Sequence, residues 1–148
     1  MLCISCHLNN SWYAVLLLNI SVNIFQSNFE QRLKYWYKLR NDLLDTDTKN
    51  KCLGTDKFWQ TAPLVNHYLY TDSVNEWPDP WELISENHYC YIARGLGIFY
   101  TMHLLGVKDI AFVEAKDYNN EDVALVLVDS AKYILCLLYT SDAADDTP

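Results

Sequence analysis

The spacing of apolar residues changes once along this chain, close to Gly106. Before this glycine, apolar side chains recur every three or four residues, which is typical of helices that pack through one face. After it, β-branched and aromatic residues come in short runs at positions 110–113, 123–128 and 133–135, which predict three strands. Turn-forming residues at 119–120 and 130–131 separate these runs. The order predicts an α+β fold in which N-terminal helices and a long central helix precede a three-stranded antiparallel sheet.

Two helices are predicted ahead of the central one. Ser27 and Glu30 have the spacing of a capping box, in which the serine hydroxyl accepts a backbone N–H and the glutamate reaches back. The apolar residues that follow predict an amphipathic helix to about Leu44. A second helix is predicted over residues 48–61, with Pro63 closing it, and residues 64–77 are interpreted as an ordered loop or short strand.

The first of these helices also contains basic residues that acidic residues interrupt. This interleaving predicts a solvated helix face rather than a basic patch. The basic residues are Arg32, Lys34, Lys38 and Arg40.

The central helix has start and stop signals of its own. Asp79, Pro80 and Glu82 form a second capping box with proline at the first helical position, and Gly106 supplies a residue suited to the helix end. One continuous helix is therefore predicted over residues 81–105. A stripe of small side chains on this helix predicts that another backbone approaches closely. The stripe consists of Cys90, Ala93, Gly97 and Thr101.

The two ends of the sequence differ from its middle. No charged side chain precedes Glu30, so residues 1–27 are interpreted as a doubtful uncharged extension, with a packed element and a membrane signal as open alternatives. Residues 136–148 resemble a translated sequencing adaptor, and we expect that the natural chain was cut near Leu135 and lacks its true C-terminus. A single α+β domain is predicted over residues 28–135.

Charge and hydropathy argue against two classes of partner. The 148 residues include 19 Asp+Glu and 11 Lys+Arg, for a net charge of -8. This acidic balance argues against nonspecific nucleic-acid binding, which depends on Lys and Arg contacts to phosphates. The apolar run at residues 12–25 is punctuated by polar residues and is shorter than the roughly 20 residues that span a bilayer, so we expect no membrane partner.

Cys90 is the strongest candidate for a catalytic residue. Together with Ala93 and Leu96, it lies on a predicted helix that antiparallel strands follow. This order of elements resembles the core of the transglutaminase-like and papain-like cysteine enzymes over residues 79–135. The resemblance implies that Cys90 is a nucleophile at the start of the helix, activated by a histidine at the start of the second strand. Here that strand begins near Asp122, and no histidine follows His103.

The remaining histidines replace the missing base poorly. His103 lies 13 residues after Cys90, about 20 Å along a helix, and His88 points to another side of it. His67 is the speculative base, because the loop that contains it could approach Cys90. A cysteine inside a long helix would also lie beyond the reach of the helix dipole, unless the helix breaks near residues 86–87. The structural interpretation of Cys90 is a small buried side chain.

A second cysteine motif lies at the start of the chain. Cys3, Cys6 and His7 have the spacing of c-type haem attachment, with Met102 or another histidine as the remaining axial ligand. Haem attachment requires export, and no export signal is visible. The same three residues with Cys52 could form a zinc set, but the second pair of ligands lacks the usual spacing. We therefore expect no metal and no cofactor, and interpret these thiols as incidental.

The segment from residue 29 to residue 135 also resembles small uncharacterised proteins of marine tailed bacteriophages. This resemblance implies a phage accessory or virion-associated protein that acts in the bacterial host cytoplasm or in the virion. Two hypotheses follow. The favoured one is a non-catalytic protein-interaction module on a transglutaminase-like scaffold that lacks the strand histidine, with a protein as its partner. The alternative is an amide hydrolase or acyltransferase that uses Cys90 as its nucleophile.

Overall fold

The computed structural model describes residues 23–66 and 69–136, together with the backbone of residues 2–3. Four α-helices lie between Asn28 and Leu105, and strands follow: α1 is Phe29–Leu43, α2 is Thr48–Gln60, α3 is Pro80–Glu86 and α4 is Tyr91–Leu104. Short 3-10 helices occupy Ile24–Gln26 and Thr71–Glu76. Within the described residues from 23 to 136, the helices therefore all precede the strands, and one further two-residue strand lies at Leu2–Cys3. The predicted α+β class is confirmed.

The sheet is an antiparallel meander with a short parallel strand at one edge. The strands are β1 (Leu2–Cys3), β2 (Ile110–Lys116), β3 (Asp122–Val128) and β4 (Tyr133–Cys136), in the spatial order β1-β4-β3-β2. β2 and β3 pair antiparallel from Ile110 opposite Val128 to Lys116 opposite Asp122, and β4 pairs antiparallel with β3. Three predicted strands are confirmed, and β4 includes Cys136, one residue into the segment that resembles an adaptor.

The predicted cap of the first helix was wrong by one residue. The side chain of Asn28, not of Ser27, accepts the Gln31 N–H at 3.0 Å. Ser27 follows the 3-10 helix, and its hydroxyl donates to the carbonyl of Ile24 at 2.5 Å. The preceding turn therefore engages the hydroxyl before the helix begins. The predicted end near Leu44 is confirmed, since Leu44 is the C-cap.

The single long helix predicted over residues 81–105 was also wrong, because the chain breaks into α3 and α4. Asn87 ends α3 in the left-handed conformation, with φ 56° and ψ 36°. Its side-chain amide donates to the carbonyl of Phe25 at 2.9 Å, a contact across 62 residues of sequence. Asparagine tolerates this conformation better than most residues. The capping box at Asp79 is confirmed, and Gly106 adopts a φ of 80° after α4.

Helix α4 lies between the sheet and α2. A Cβ on Gly95 would be 2.8 Å from Ala124 and from the Phe112 ring, which places that side of α4 directly on β2 and β3. A Cβ on Gly97 would be 2.6 Å from ring atoms of Trp59 in α2. The small side chains of this stripe therefore make room for an indole ring, whereas the sequence predicted that another backbone approaches there. Among the described residues, no helix is long and apolar enough to cross a membrane.

Candidate functional site

The break between α3 and α4 places Cys90 at the start of a helix. Cys90 is the N-cap of α4, with φ -74° and ψ 175°, and its carbonyl accepts the Arg94 N–H at 3.0 Å. The sequence left open whether the helix breaks near residues 86–87. It does break there, so the thiol lies beside the first turn of α4, where the helix dipole acts. This position is the one that the resemblance to cysteine enzymes implies for a nucleophile.

The thiol of Cys90 is nevertheless closed off from solvent. Cys90 is 1% exposed, and the preceding Tyr89 is fully buried. The carbonyl of Tyr89 accepts the Val65 N–H at 3.0 Å, and Leu64 forms a parallel bridge with Tyr89. These contacts bind the segment after α2 against the chain that leads into α4. Because the thiol is buried, a substrate carbonyl could reach the sulfur only if residues packed around it moved away.

Charged groups, rather than an imidazole, occupy the strand ends beside the start of α4. Asp122 opens β3 and forms an ion pair with Lys116, directly opposite it on β2. The Tyr91 hydroxyl donates to Glu114 at 2.8 Å. Burial and the bond to Glu114 raise the pKa of Tyr91 above its ordinary value. The ammonium group of Lys116, on these strand ends, is therefore already paired with a carboxylate.

The histidines that the sequence considered do not complete a catalytic pair among the described residues. His67, the speculative base, lies outside the residues that the structure describes. His88 is exposed, although it is only two residues from the buried Cys90. His103 is exposed near the other end of α4, as the helical distance predicted. The described residues thus provide a helix start and a thiol, without a base that contacts it.

The other two described cysteines are also buried, and neither belongs to a metal site among the described residues. Cys52 is a fully buried free thiol in α2, and burial raises its pKa from 9.0 to about 12. Cys136 is buried in β4. No group of three or more His, Cys, Asp or Glu side chains in residues 23–66 and 69–136 could hold a metal ion. The side chains of Cys3, Cys6 and His7 lie outside the described residues.

Two arginines of α1 are not fully solvent-exposed, although the sequence predicted that they lie on a solvated face. Arg32 is buried and donates to the carbonyls of Ile84 at 3.0 Å and Ser85 at 3.2 Å, near the end of α3. Arg40 is half-buried against aromatic rings. Lys34 and Lys38 are exposed, as expected. The alternation of charge in sequence did not reveal which side of the helix meets α3.

A buried hydroxyl that sequence reasoning missed joins the two largest buried rings. Thr101 accepts hydrogen bonds from the indole nitrogens of Trp36 at 2.9 Å and Trp59 at 3.0 Å. Its own hydroxyl donates to the Gly97 carbonyl at 2.6 Å. The small-residue stripe marked this side of α4 as a close contact, but no pattern in the sequence identifies the two donors.

Comparisons of this chain with family models, with curated proteins and with solved structures found no match.

Proposed function

We propose that this protein is a non-catalytic protein-interaction module that retains the order of elements of a transglutaminase-like core. The observation that carries the proposal is the buried thiol of Cys90, which is 1% exposed, together with Asp122 at the start of β3, where the cysteine enzymes have a histidine. A thiol nucleophile needs access to its substrate and a partner that takes its proton. The described residues at this position offer neither.

The proposal includes a biological setting that follows from the resemblance to phage proteins. We propose a tailed-phage accessory or virion-associated role, in the bacterial host cytoplasm or in the virion. The partner is a protein, because the net charge of -8 disfavours contacts to nucleic-acid phosphates.

Thiol alkylation tests the absence of catalysis. The folded protein is treated with iodoacetamide below pH 7, and the modified cysteines are identified by peptide mass spectrometry. We expect Cys90 to remain unmodified while the protein is folded and to react after unfolding in urea. Cys52, which is fully buried, provides an internal control for loss of the fold. Rapid modification of Cys90 while Cys52 stays protected would contradict the proposal.

The second candidate is a cysteine hydrolase or acyltransferase, which the N-cap position of Cys90 favours. In this reaction the Cys90 sulfur would attack an amide carbonyl, its proton would pass through a base to the leaving amine, and water or another acceptor would cleave the thioester. His67 is the proposed base. Rapid alkylation of Cys90 that a His67→Ala substitution abolishes would support this candidate over the interaction module.

A further inference from the structure

The guanidinium of Arg40 lies among three aromatic rings contributed by α1 and α3. Its central carbon is 4.3 Å from the ring centroid of Trp36, 5.5 Å from that of Trp81 and 5.8 Å from that of Tyr37. Each distance is within the roughly 6 Å over which a cation is attracted to an aromatic face. Trp36 and Trp81 also meet edge to face, with centroids 5.4 Å apart. The cation therefore binds α1 and α3 into one cluster.

The outer side of this cluster is a surface of apolar and aromatic groups around one charge. Tyr37 is 59% exposed, Trp81 48% and Leu44 50%, whereas Trp36 beneath them is buried. Leu44 follows Arg40 by four residues and so lies on the same side of the helix. We call Tyr37, Arg40, Leu44 and Trp81 the arginine patch. Tryptophan, tyrosine and arginine are the residues that most often dominate the energy of protein interfaces.

One hydrogen-bond donor of the Arg40 guanidinium has no partner among the described residues. Its Nε is buried without a hydrogen-bond partner, and no described residue forms an ion pair with its guanidinium. Burial lowers its pKa from the ordinary value, as expected for a cation partly removed from water. Arg32, eight residues earlier on α1, instead donates to carbonyls of α3. A guanidinium that lies between rings and is not paired with a carboxylate of the described residues matches an incoming carboxylate in charge and geometry.

We propose that the arginine patch binds a protein segment that presents one aspartate or glutamate between apolar residues. The carboxylate would contact the Arg40 guanidinium, and the flanking apolar side chains would cover Leu44 and Trp81. Charge complementarity selects this occupant, because a wholly apolar segment would leave the cation without a counter-charge in a drier surrounding. The inference rests on the proposed interaction function and identifies the surface and partner chemistry for it.

The test measures binding of synthetic peptides by fluorescence anisotropy. One panel carries a single glutamate flanked on both sides by leucine or phenylalanine, and a matched panel carries glutamine in its place. We expect the glutamate peptides to bind at least about tenfold more tightly, and Arg40→Gln and Trp81→Ala each to weaken binding about tenfold or more. Tyr118→Ala, at an 85% exposed tyrosine outside the patch, is the control and should bind normally.

Each outcome decides the inference. Equal affinity for the two panels, discrimination that survives Arg40→Gln, or no binding by any peptide at millimolar concentration would overturn it. Dimerisation in the ultracentrifuge that Arg40→Gln abolishes would identify a second copy as the occupant and would also overturn it. If Arg40→Gln unfolds, Trp81→Ala and a salt titration decide, because a carboxylate contact weakens as ionic strength rises. Alkylation of Cys90 tests the proposed function separately, since the patch does not include Cys90.

Discussion

The hydrogen bonds of Thr101 predict that a hydroxyl side chain stabilises the fold at this buried position more than an apolar side chain of the same shape does. Thr101 is fully buried, and its hydroxyl accepts from two indole N–H groups, at 2.9 Å from Trp36 and 3.0 Å from Trp59. Thr101→Val keeps the side-chain shape and replaces the hydroxyl by a methyl group. Hydrophobic burial alone would make valine equal to or better than threonine at this position.

The magnitude follows from the groups left without partners. A buried donor that loses its acceptor costs roughly 1–3 kcal/mol, so two indoles together predict a loss of about 3 kcal/mol in the free energy of unfolding. Thr101→Ser retains the hydroxyl and removes one buried methyl group, which costs roughly 1 kcal/mol. The expected order of stability is therefore wild type, then serine, then valine.

Urea denaturation, followed by circular dichroism, measures both variants. With a slope of about 2 kcal/mol per M, the valine variant should unfold at a midpoint about 1.5 M below the wild type, and the serine variant about 0.5 M below it. A valine variant as stable as the serine variant would refute the reasoning, because it would mean that the two indoles had not needed the hydroxyl.

Three further predictions concern packing, capping and pH. Gly97→Ala should lower the free energy of unfolding by roughly 2 kcal/mol in urea denaturation, because its Cβ would be 2.6 Å from the buried Trp59 ring and this clash outweighs the gain in helix propensity of about 1 kcal/mol. Gly54→Ala is the control and should change stability less, because its Cβ would meet the flexible side chain of Leu43. Equal effects of the two substitutions would contradict the clash. Asp79→Ala should lower the free energy of unfolding by about 1 kcal/mol, since Asp79 Oδ1 accepts the N–H groups of Trp81 and Glu82 at 2.8 Å each. Asp45→Ala, at an exposed position, is the control and should change stability little in the same assay. Burial raises the pKa of Cys52 from 9.0 to about 12, so its contribution to stability is present below pH 9 and is lost as the pH rises from 9 towards 12. The loss amounts to at most about 1.4 kcal/mol per pH unit. Cys52→Ala should make the fall in stability over this pH range less steep, and parallel curves for the two proteins would be inconsistent with a buried neutral thiol.

Local signals were sufficient wherever the interaction that forms an element lies within a few residues. The capping box at Asp79 closes over four residues, and Gly106 ends α4 through its own backbone freedom. The change of apolar spacing near Gly106 likewise marks the passage from helices to the meander, since each strand needs only a short run of suitable side chains. For these reasons the α+β order could be predicted from the sequence.

The candidate site was predicted only in part. Sequence identified Cys90 and the lack of a histidine at the start of β3, where Asp122 lies. It did not show that Cys90 caps a helix, because the apolar spacing continues through residues 87–90 without a glycine or proline to mark the break. Nor did it show that the thiol is buried, since burial depends on how distant segments of the chain pack together.

The sequence by itself determined the class of fold, the order of its elements and the absence of a strand histidine, because each depends on residue identity and short-range spacing. Tertiary structure decided where α3 ends and what the buried polar groups contact. Asn87 adopts its left-handed conformation with its amide on Phe25, and Thr101 meets indoles that lie 42 and 65 residues away in sequence. Such contacts form only when distant segments pack together, so their free energy has no local signature in the chain.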